Sequence, residues 1–308
     1  MSLILDSVLP VFALLGLGSL LRRLGLIDLV FIRTSDRLIY YIFFPALLFW
    51  KIGKPASAAS IDWTVIVAAM LTVFSVFTLS LVYAKVTGAP DYEVGSFSQG
   101  CYRFSTYIGM AIILAAFKEE GVRQFGVMIG FLIPFINVLA VTSMIWFSRR
   151  MNANGGNVRV ILRAMVSNPL IIACLAGIAY SHLRTPLPGL IDHTLGLMSL
   201  LSLPLALLSI GATLTVSGLG GHLGKASVAA LFKLVVMPAV GLCFLRLFGV
   251  TGIAFTIAMI YFVLPTSPQN YILSAQLNSD LDLATAGIVI STVLSMIPLS
   301  LMLAFLGP

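Results

Sequence analysis

Leu264-Pro-Thr-Ser-Pro-Gln-Asn-Tyr271 lies within an apolar run from 250 to 277 that carries no charged residue, and its reading decides the fold. Pro265 and Pro268 each remove a backbone donor and clash with the preceding turn, so a helix that enters this stretch does not pass smoothly through it. In hydrocarbon, amides and carbonyls freed in this way are tolerated only where protein or a cavity supplies partners. Thr266, Ser267, Gln269 and Asn270 are suitable partners. The stretch therefore reads as a helix broken at membrane depth.

Composition sets that context. The chain has 308 residues, 59% hydrophobic and 9% charged, with mean hydropathy +1.07. Soluble domains carry about 25% charged residues. A polar surface cannot be made from 18 Lys+Arg and 11 Asp+Glu, so a water-soluble globule is excluded. The net charge of +7 concerns topology, because no basic cluster lies beside exposed aromatics in a polar segment and a nucleic-acid footprint is absent.

Ten apolar stretches run approximately over 7–21, 38–50, 63–84, 94–117, 125–148, 164–183, 195–217, 226–245, 250–277 and 283–306. Uninterrupted apolarity contradicts the alternation of a membrane barrel, so each is expected to be a helix and the chain an all-α membrane protein. The second is entered through Phe31-Ile-Arg-Thr-Ser-Asp-Arg37, read as an interfacial turn with snorkelling arginines. The first basic residue is Arg22, so the first stretch is expected to be a retained span and not a signal peptide. With the N-terminus outside, the inner connections hold ten Lys/Arg, namely Arg22, Arg23, Arg33, Arg37, Lys85, Arg149, Arg150, Arg159, Arg163 and Lys225. The outer connections hold six, Lys51, Lys54, Lys118, Arg123, Arg184 and Arg246. The positive-inside rule thus places both termini outside.

Arg149-Arg-Met-Asn-Ala-Asn-Gly-Gly-Asn157 divides the chain into halves of five spans, residues 1–150 and 158–308. An odd number of spans per half inserts the second half upside down. Pro10 and Gly18 recur as Pro169 and Gly177, and Pro45 as Pro204, all at an offset of 159. Inverted repeats of this kind are the architecture of secondary transporters.

The polar segment Gln99-Gly-Cys-Tyr-Arg-Phe-Ser-Thr-Tyr107 occupies the fourth span of the first half, where 264–271 occupies the fourth of the second. Paired broken helices bring half-helix N-termini, with their partial positive charge, near the midplane. Arg103 is midway along its span, and an arginine there costs roughly 2.5–3.5 kcal/mol on insertion scales. Its expected partner is a loop carboxylate, helix carbonyls or a bound anion. Lys233 is a second deep cation, close to the site or snorkelling. Asn137, Ser291, Thr292 and Ser295 read as supporting groups that bond helix to helix.

Other motifs carry no chemistry. Cys101, Cys174 and Cys243 have no metal-ligand spacing and read as packing thiols. His182, His193 and His222 lie near span ends. Gly218-Leu-Gly-Gly-His-Leu-Gly-Lys225 fails as a phosphate loop, with short spacing, Ala226 in place of the hydroxyl and no preceding strand. No metal site, no cofactor and no enzyme activity are expected.

The sequence resembles the auxin efflux carrier family, as a compact bacterial-type member without a long central loop. The likeness rests on 36–49, 102–109, 168–172, 203–212, 233–238 and Pro265-Thr-Ser267. It implies ten spans in two inverted repeats akin to bile-acid/sodium symporters. Spans 1, 2, 6 and 7 would form a scaffold, and spans 3–5 and 8–10 a transport domain that moves as an elevator. The crossing fourth and ninth spans would hold the substrate. Many relatives have a small residue then Asn after the crossing arginine, where this chain has Phe104-Ser105.

The functional expectation is secondary or potential-driven transport of a small organic anion, a carboxylate such as an auxin-like acid or malonate. Its binding residues are Arg103, Phe104, Ser105, Thr106, Tyr107, Pro265, Thr266, Ser267, Gln269 and Asn270, supported by Gln99, Asn137, Lys233, Pro268 and Tyr271. A coupling Na+ or H+ is left open. Alternatives are a sodium-coupled bile-acid-type symporter, an anion channel or a membrane ligand sensor. The expected partners are the anion, the bilayer and a second copy through the scaffold spans, with no nucleic acid, in the bacterial inner membrane.

Overall fold

A computed structural model describes residues 7–53, 62–151, 168–183, 185–214 and 221–307. Lys54, Arg159, Arg163, Arg184, most of the central connection and 218–220 lie outside the described residues. The described regular elements are all helical. Helix α1 spans Leu9–Arg23; α2, Leu29–Leu38, continues through a π turn at Ile39–Phe43 into α3, Phe44–Gly53. Helix α4 spans Trp63–Val86, α5 Asp91–Tyr102 and α6 Thr106–Met151. In the second half come α7, Pro169–Ser181, and α8, Gly189–Thr213. Helix α9, Leu223–Leu231, runs through a second π turn, Phe232–Val236, into α10, Met237–Leu247. Helices α11, Gly252–Val263, α12, Gln269–Gln276, and α13, Leu281–Leu306, complete the fold.

Among the described residues, five segments are long and apolar enough to cross a membrane: Trp63–Val86, Asp91–Met144, Gly189–Thr213, Leu223–Leu247 and Leu281–Leu306. The outer surface is correspondingly apolar, with Leu190 82% and Phe305 81% exposed. In water such a surface would drive association; in lipid it costs nothing.

Three local expectations are corrected. The stretch 31–37 is not a turn but part of α2, because Asp28 caps the helix by accepting from the Phe31 amide at 2.7 Å. The connection between the fourth and fifth stretches is shorter than expected: α6 is two helices that meet at one residue outside the helical region, Lys118, at φ 51° and ψ −142°. Cys101 and Cys174 are buried but Cys243 is exposed. An apolar neighbourhood implies a packed interior only when the surroundings are aqueous, and here the outer face is apolar as well.

The helices pack in two groups. Helix α1 lies along α8, and α3 along α7 and α8; α4 packs on α5, α6, α10 and α11, while α13 packs on α5, α9, α11 and α12. Helix α6 is the element through which the groups chiefly meet, since it touches α1, α3, α7 and α8 as well as α4, α5 and α11. Close approach in the first group needs glycine. A Cβ on Gly18 would stand 2.1 Å from the Leu208 carbonyl oxygen, and one on Gly177 would stand 3.3 Å from that of Phe49. Adding 159 turns Gly18 into Gly177 and Phe49 into Leu208, so the two contacts are related by the repeat read from the sequence. Without a hydrophobic drive between helices in lipid, such backbone proximity is a principal source of attraction.

Connections meet at two opposite ends. At one end, Lys225 pairs with Glu93 and the Asp280 amide donates to the Tyr92 carbonyl at 3.0 Å. At the other, Lys51 pairs with Glu119 and Trp50 Nε1 donates to Asp192 Oδ1 at 2.6 Å.

Candidate functional site

Two helices stop short inside the protein, and they stop alike. Helices α5 and α11 have 12 residues each. Their first residues, Asp91 and Gly252, are 161 apart, as are their last, Tyr102 and Val263. The residue after each is extended: Arg103 at φ −69°, ψ 151° and Leu264 at φ −63°, ψ 145°. Backbone groups orphaned in one break find partners in the other. The Ser105 amide donates to the Pro265 carbonyl at 2.8 Å, and Thr266 Oγ1 donates to the Gly100 carbonyl at 2.8 Å. The Thr266 amide donates to Ser291 Oγ at 3.1 Å. Buried backbone groups need such pairing.

Arg103 is 4% exposed and faces neutral oxygens. Its Nη1 donates to Gln99 Oε1 at 2.6 Å, and its Nη2 to Asn137 Oδ1 at 2.5 Å and Gln269 Oε1 at 3.1 Å. This corrects the expected partner: side-chain amides, not a loop carboxylate or helix carbonyls, hold it. Amide oxygens accept without a charge of their own, so the guanidinium keeps its positive charge uncompensated. Of its five N–H donors, two make no hydrogen bond among the described residues.

A cavity of about 780 Å³ opens beside Arg103. Of the residues singled out in the sequence, Arg103, Tyr107, Asn137, Ser267, Pro268 and Gln269 line it. The others stand elsewhere. Phe104 is buried against Tyr261, with ring centroids 4.5 Å apart. Ser105 Oγ is buried with no partner among the described residues. Thr106 is half-buried and Pro265 buried. Asn270 is fully buried and donates to the Ser96 carbonyl at 3.1 Å. Tyr271 is 45% exposed on the outer surface. Gln99 backs Arg103 from the same helix. Lys233 neither lines the cavity nor snorkels: it is 0% exposed and donates to the Phe262 carbonyl at 2.8 Å.

The cavity also has walls that the sequence reading missed, chiefly Asp36, Tyr40, Asn168 and Ser209. Asp36 lies on α2, ahead of the second apolar stretch, and accepts a hydrogen bond from Ser209 Oγ on α8. Its carboxyl group opens into the cavity. Desolvation pushes its pKa up from the ordinary carboxylate value, and the Ser209 hydrogen bond opposes that in part. The signal was available as a lone acid in Arg33-Thr-Ser-Asp-Arg37, where two flanking arginines suggest an interface rather than a site. Asp36 and Arg37 near the end of α2, Asn168 at the start of α7, Thr213 at the end of α8 and Leu277 after α12 all line it. The cavity therefore runs from the two breaks toward the end of the molecule marked by Lys225, Glu93 and Asp280.

Residues 156–303 match the family described as membrane transport protein. An uncharacterized transporter of Methanothermobacter thermautotrophicus is 24% identical over 301 residues, 96% of each chain. One of Methanocaldococcus jannaschii is 21% identical over 304 residues, 96% of this chain and 97% of the relative.

Proposed function

Since the chain belongs to the membrane transport protein family, that of the auxin efflux carriers, we propose that it carries a small organic anion across the membrane. The observation that carries this reading is Arg103, a buried cation held only by neutral amides, with donors to spare and a cavity in front of it. A charge kept at membrane depth without a countercharge needs a ligand that supplies one. A carboxylate does so and takes two parallel N–H donors of a guanidinium. The first turns of α6 and α12, at Tyr107 and Gln269, border the same space and add the partial positive charge of helix N-termini.

The chain crosses the membrane ten times in two inverted repeats. Helices α1, α2–α3, α7 and α8 form the scaffold, and the rest the moving unit. The paired contacts of Gly18 and Gly177 support the repeat, and so do the matching breaks. Ten crossings require the third, seventh and ninth connections to share one side and the second, fourth and sixth the other, as the Lys225–Glu93 and Lys51–Glu119 pairs do. With the positive-inside orientation, the cavity opens to the cytoplasm and both termini are outside. The cavity lies between α2 and α8 of the scaffold and the breaks of the moving unit, where an elevator displacement would carry a bound anion. With no coupling ion, an interior-negative potential favours export by about 2.3 kcal/mol per charge per 100 mV.

The test is a thermal-stability screen of the purified protein against mono- and dicarboxylates and auxin-like aromatic acids, followed by proteoliposome flux of the acids that stabilise it. Saturable counterflow that Arg103→Ala abolishes is expected. Wild-type flux in Arg103→Ala overturns the site, and conductance far above carrier turnover makes the protein a channel.

A further inference from the structure

We propose that Lys233 is a cation built into the chain, its ammonium standing at the end of α11 where a sodium-driven carrier would hold the metal ion; the reading rests on the carrier function proposed above. Arg103 and Lys233 are the two buried cations among the described residues. Arg103 lines the cavity and Lys233 does not, so the anion site leaves the lysine without a role.

Its surroundings supply one. Lys233 lies in the π turn Phe232–Val236, which interrupts the helix between α9 and α10 and packs against α4, α5, α11 and α13. Its Nζ donates to the Phe262 carbonyl at 2.8 Å and to Met237 Sδ at 3.1 Å, and stands 5.6 Å from the centroid of the Tyr261 ring. All three partners are neutral. Phe262 is the last residue but one of α11, so its carbonyl belongs to the final turn, where no helix amide follows and the dipole is negative. The Phe262 ring is seated on α10, where a Cβ on Gly241 would stand 2.3 Å from it, and this fixes the residue whose carbonyl the lysine meets.

In carriers built on broken helices, unwound carbonyls and half-helix C-terminal ends are what coordinate Na+. Here an ammonium on a four-carbon stem meets such a carbonyl instead. The first break has no counterpart. The offset of 161 that relates α5 to α11 carries Lys233 to Thr72, which is fully buried and donates to the Ala68 carbonyl of its own helix at 2.8 Å. At the end of α5 it is the Thr266 hydroxyl that meets the Gly100 carbonyl. The repeat thus supplies two matching breaks, and the sequence adds a positive charge to one of them. Lys233 and α11 both belong to the moving unit, so the charge travels with the anion site and no ion is drawn from either side.

Thermal unfolding of the purified full-length protein tests this without a substrate. Lys233→Ala removes three methylenes and the ammonium, a space that propylammonium matches. Sodium and propylammonium are compared with choline at equal ionic strength, and 1-propanol serves as the uncharged filler. A saturable rise in the unfolding temperature of Lys233→Ala with either small cation, absent with propanol and absent in the wild type, is expected. No rise with both cations, an equal rise with propanol, or a saturable sodium response in the wild type overturns the proposal. Should Lys233→Ala not fold, Lys233→Met keeps the stem without the charge. Replacing buried ionic groups by apolar ones of similar volume is often neutral or stabilising, so an unfolding temperature below that of the wild type is expected and one at or above it overturns the proposal. In proteoliposomes with the potential clamped, malonate counterflow by the wild type is expected to run at the same rate in sodium and in choline; a rate that depends on sodium overturns the proposal. If malonate gives no counterflow in either medium, the anion reading falls for that acid, and the unfolding measurements still decide the role of Lys233.

Discussion

The Ser105 amide and the Pro265 carbonyl are 2.8 Å apart, one in each break, so the two interrupted helices complete each other. The Thr266 hydroxyl returns the bond to Gly100 at 2.8 Å. A broken helix in a membrane is stable only when its orphaned groups are paired, and here each half of the sequence supplies the partners for the other. With the backbone satisfied, Arg103, Gln269 and Ser267 are left to face the cavity.

That division of labour separates two neighbours. Asn270 is fully buried and bonds Ser96 and Ser274, whereas Gln269 bonds Arg103 and lines the cavity. Asn270→Ala removes two buried hydrogen bonds, one to the Ser96 carbonyl and one from the Ser274 hydroxyl, and is expected to destabilise the fold by about 1–3 kcal/mol. Gln269→Ala leaves the unfolding temperature close to wild type and shifts the concentration of malonate needed to stabilise the protein. Unfolding temperatures measured across a malonate titration check both. An affinity change at unchanged stability in Asn270→Ala would reverse the two roles.

Both breaks were legible in the sequence because Pro265, Pro268 and Arg103 offend the apolar pattern. What each polar group does there was not. A hydroxyl or amide at membrane depth serves either a ligand or an orphaned backbone group, and residue type does not distinguish them; Thr266 and Asn270 serve the backbone. The partners of Arg103 are 4, 34 and 166 residues away, and side-chain amides at such separations carry no local pattern. Asp36 was hidden for another reason. A carboxylate at the edge of an apolar stretch reads as interface, and only the packing of α8 against α2, with Ser209 on its carboxyl group, turns it into a cavity wall.

Helix α1 meets α8 backbone to backbone. A Cβ on Gly211 would stand 1.9 Å from the Leu15 carbonyl oxygen and one on Gly18 2.1 Å from that of Leu208, whereas Gly16 has nothing within 4 Å. Both neighbours are backbone atoms, which cannot rotate away. Gly18→Ala and Gly211→Ala are therefore expected to force the helices apart, lowering the unfolding temperature and broadening elution on size exclusion in detergent. Gly16→Ala should be neutral or gain up to about 1 kcal/mol, since alanine is the better helix former. If all three alanine variants behave alike, the close approach of α1 and α8 is not what holds this part of the fold.

Lys51, at the end of α3 in the first group, pairs with Glu119, just beyond the bend of α6, at the end of the molecule opposite the cavity mouth. The proposed elevator displacement of one group against the other would have to separate them. The Glu119 side chain is 59% exposed, so the pair stabilises the observed arrangement by no more than about 0.2–1 kcal/mol. Glu119→Gln should then raise the population open at that end by up to about fivefold. In a Cys243→Ser background, a cysteine introduced by Ser267→Cys reports this as faster labelling by an impermeant thiol reagent applied from outside. High salt should bring the wild type toward the variant, because screening weakens an exposed pair. Equal labelling rates in Glu119→Gln and wild type, at low salt, would show that the Lys51–Glu119 pair does not hold the outer end closed.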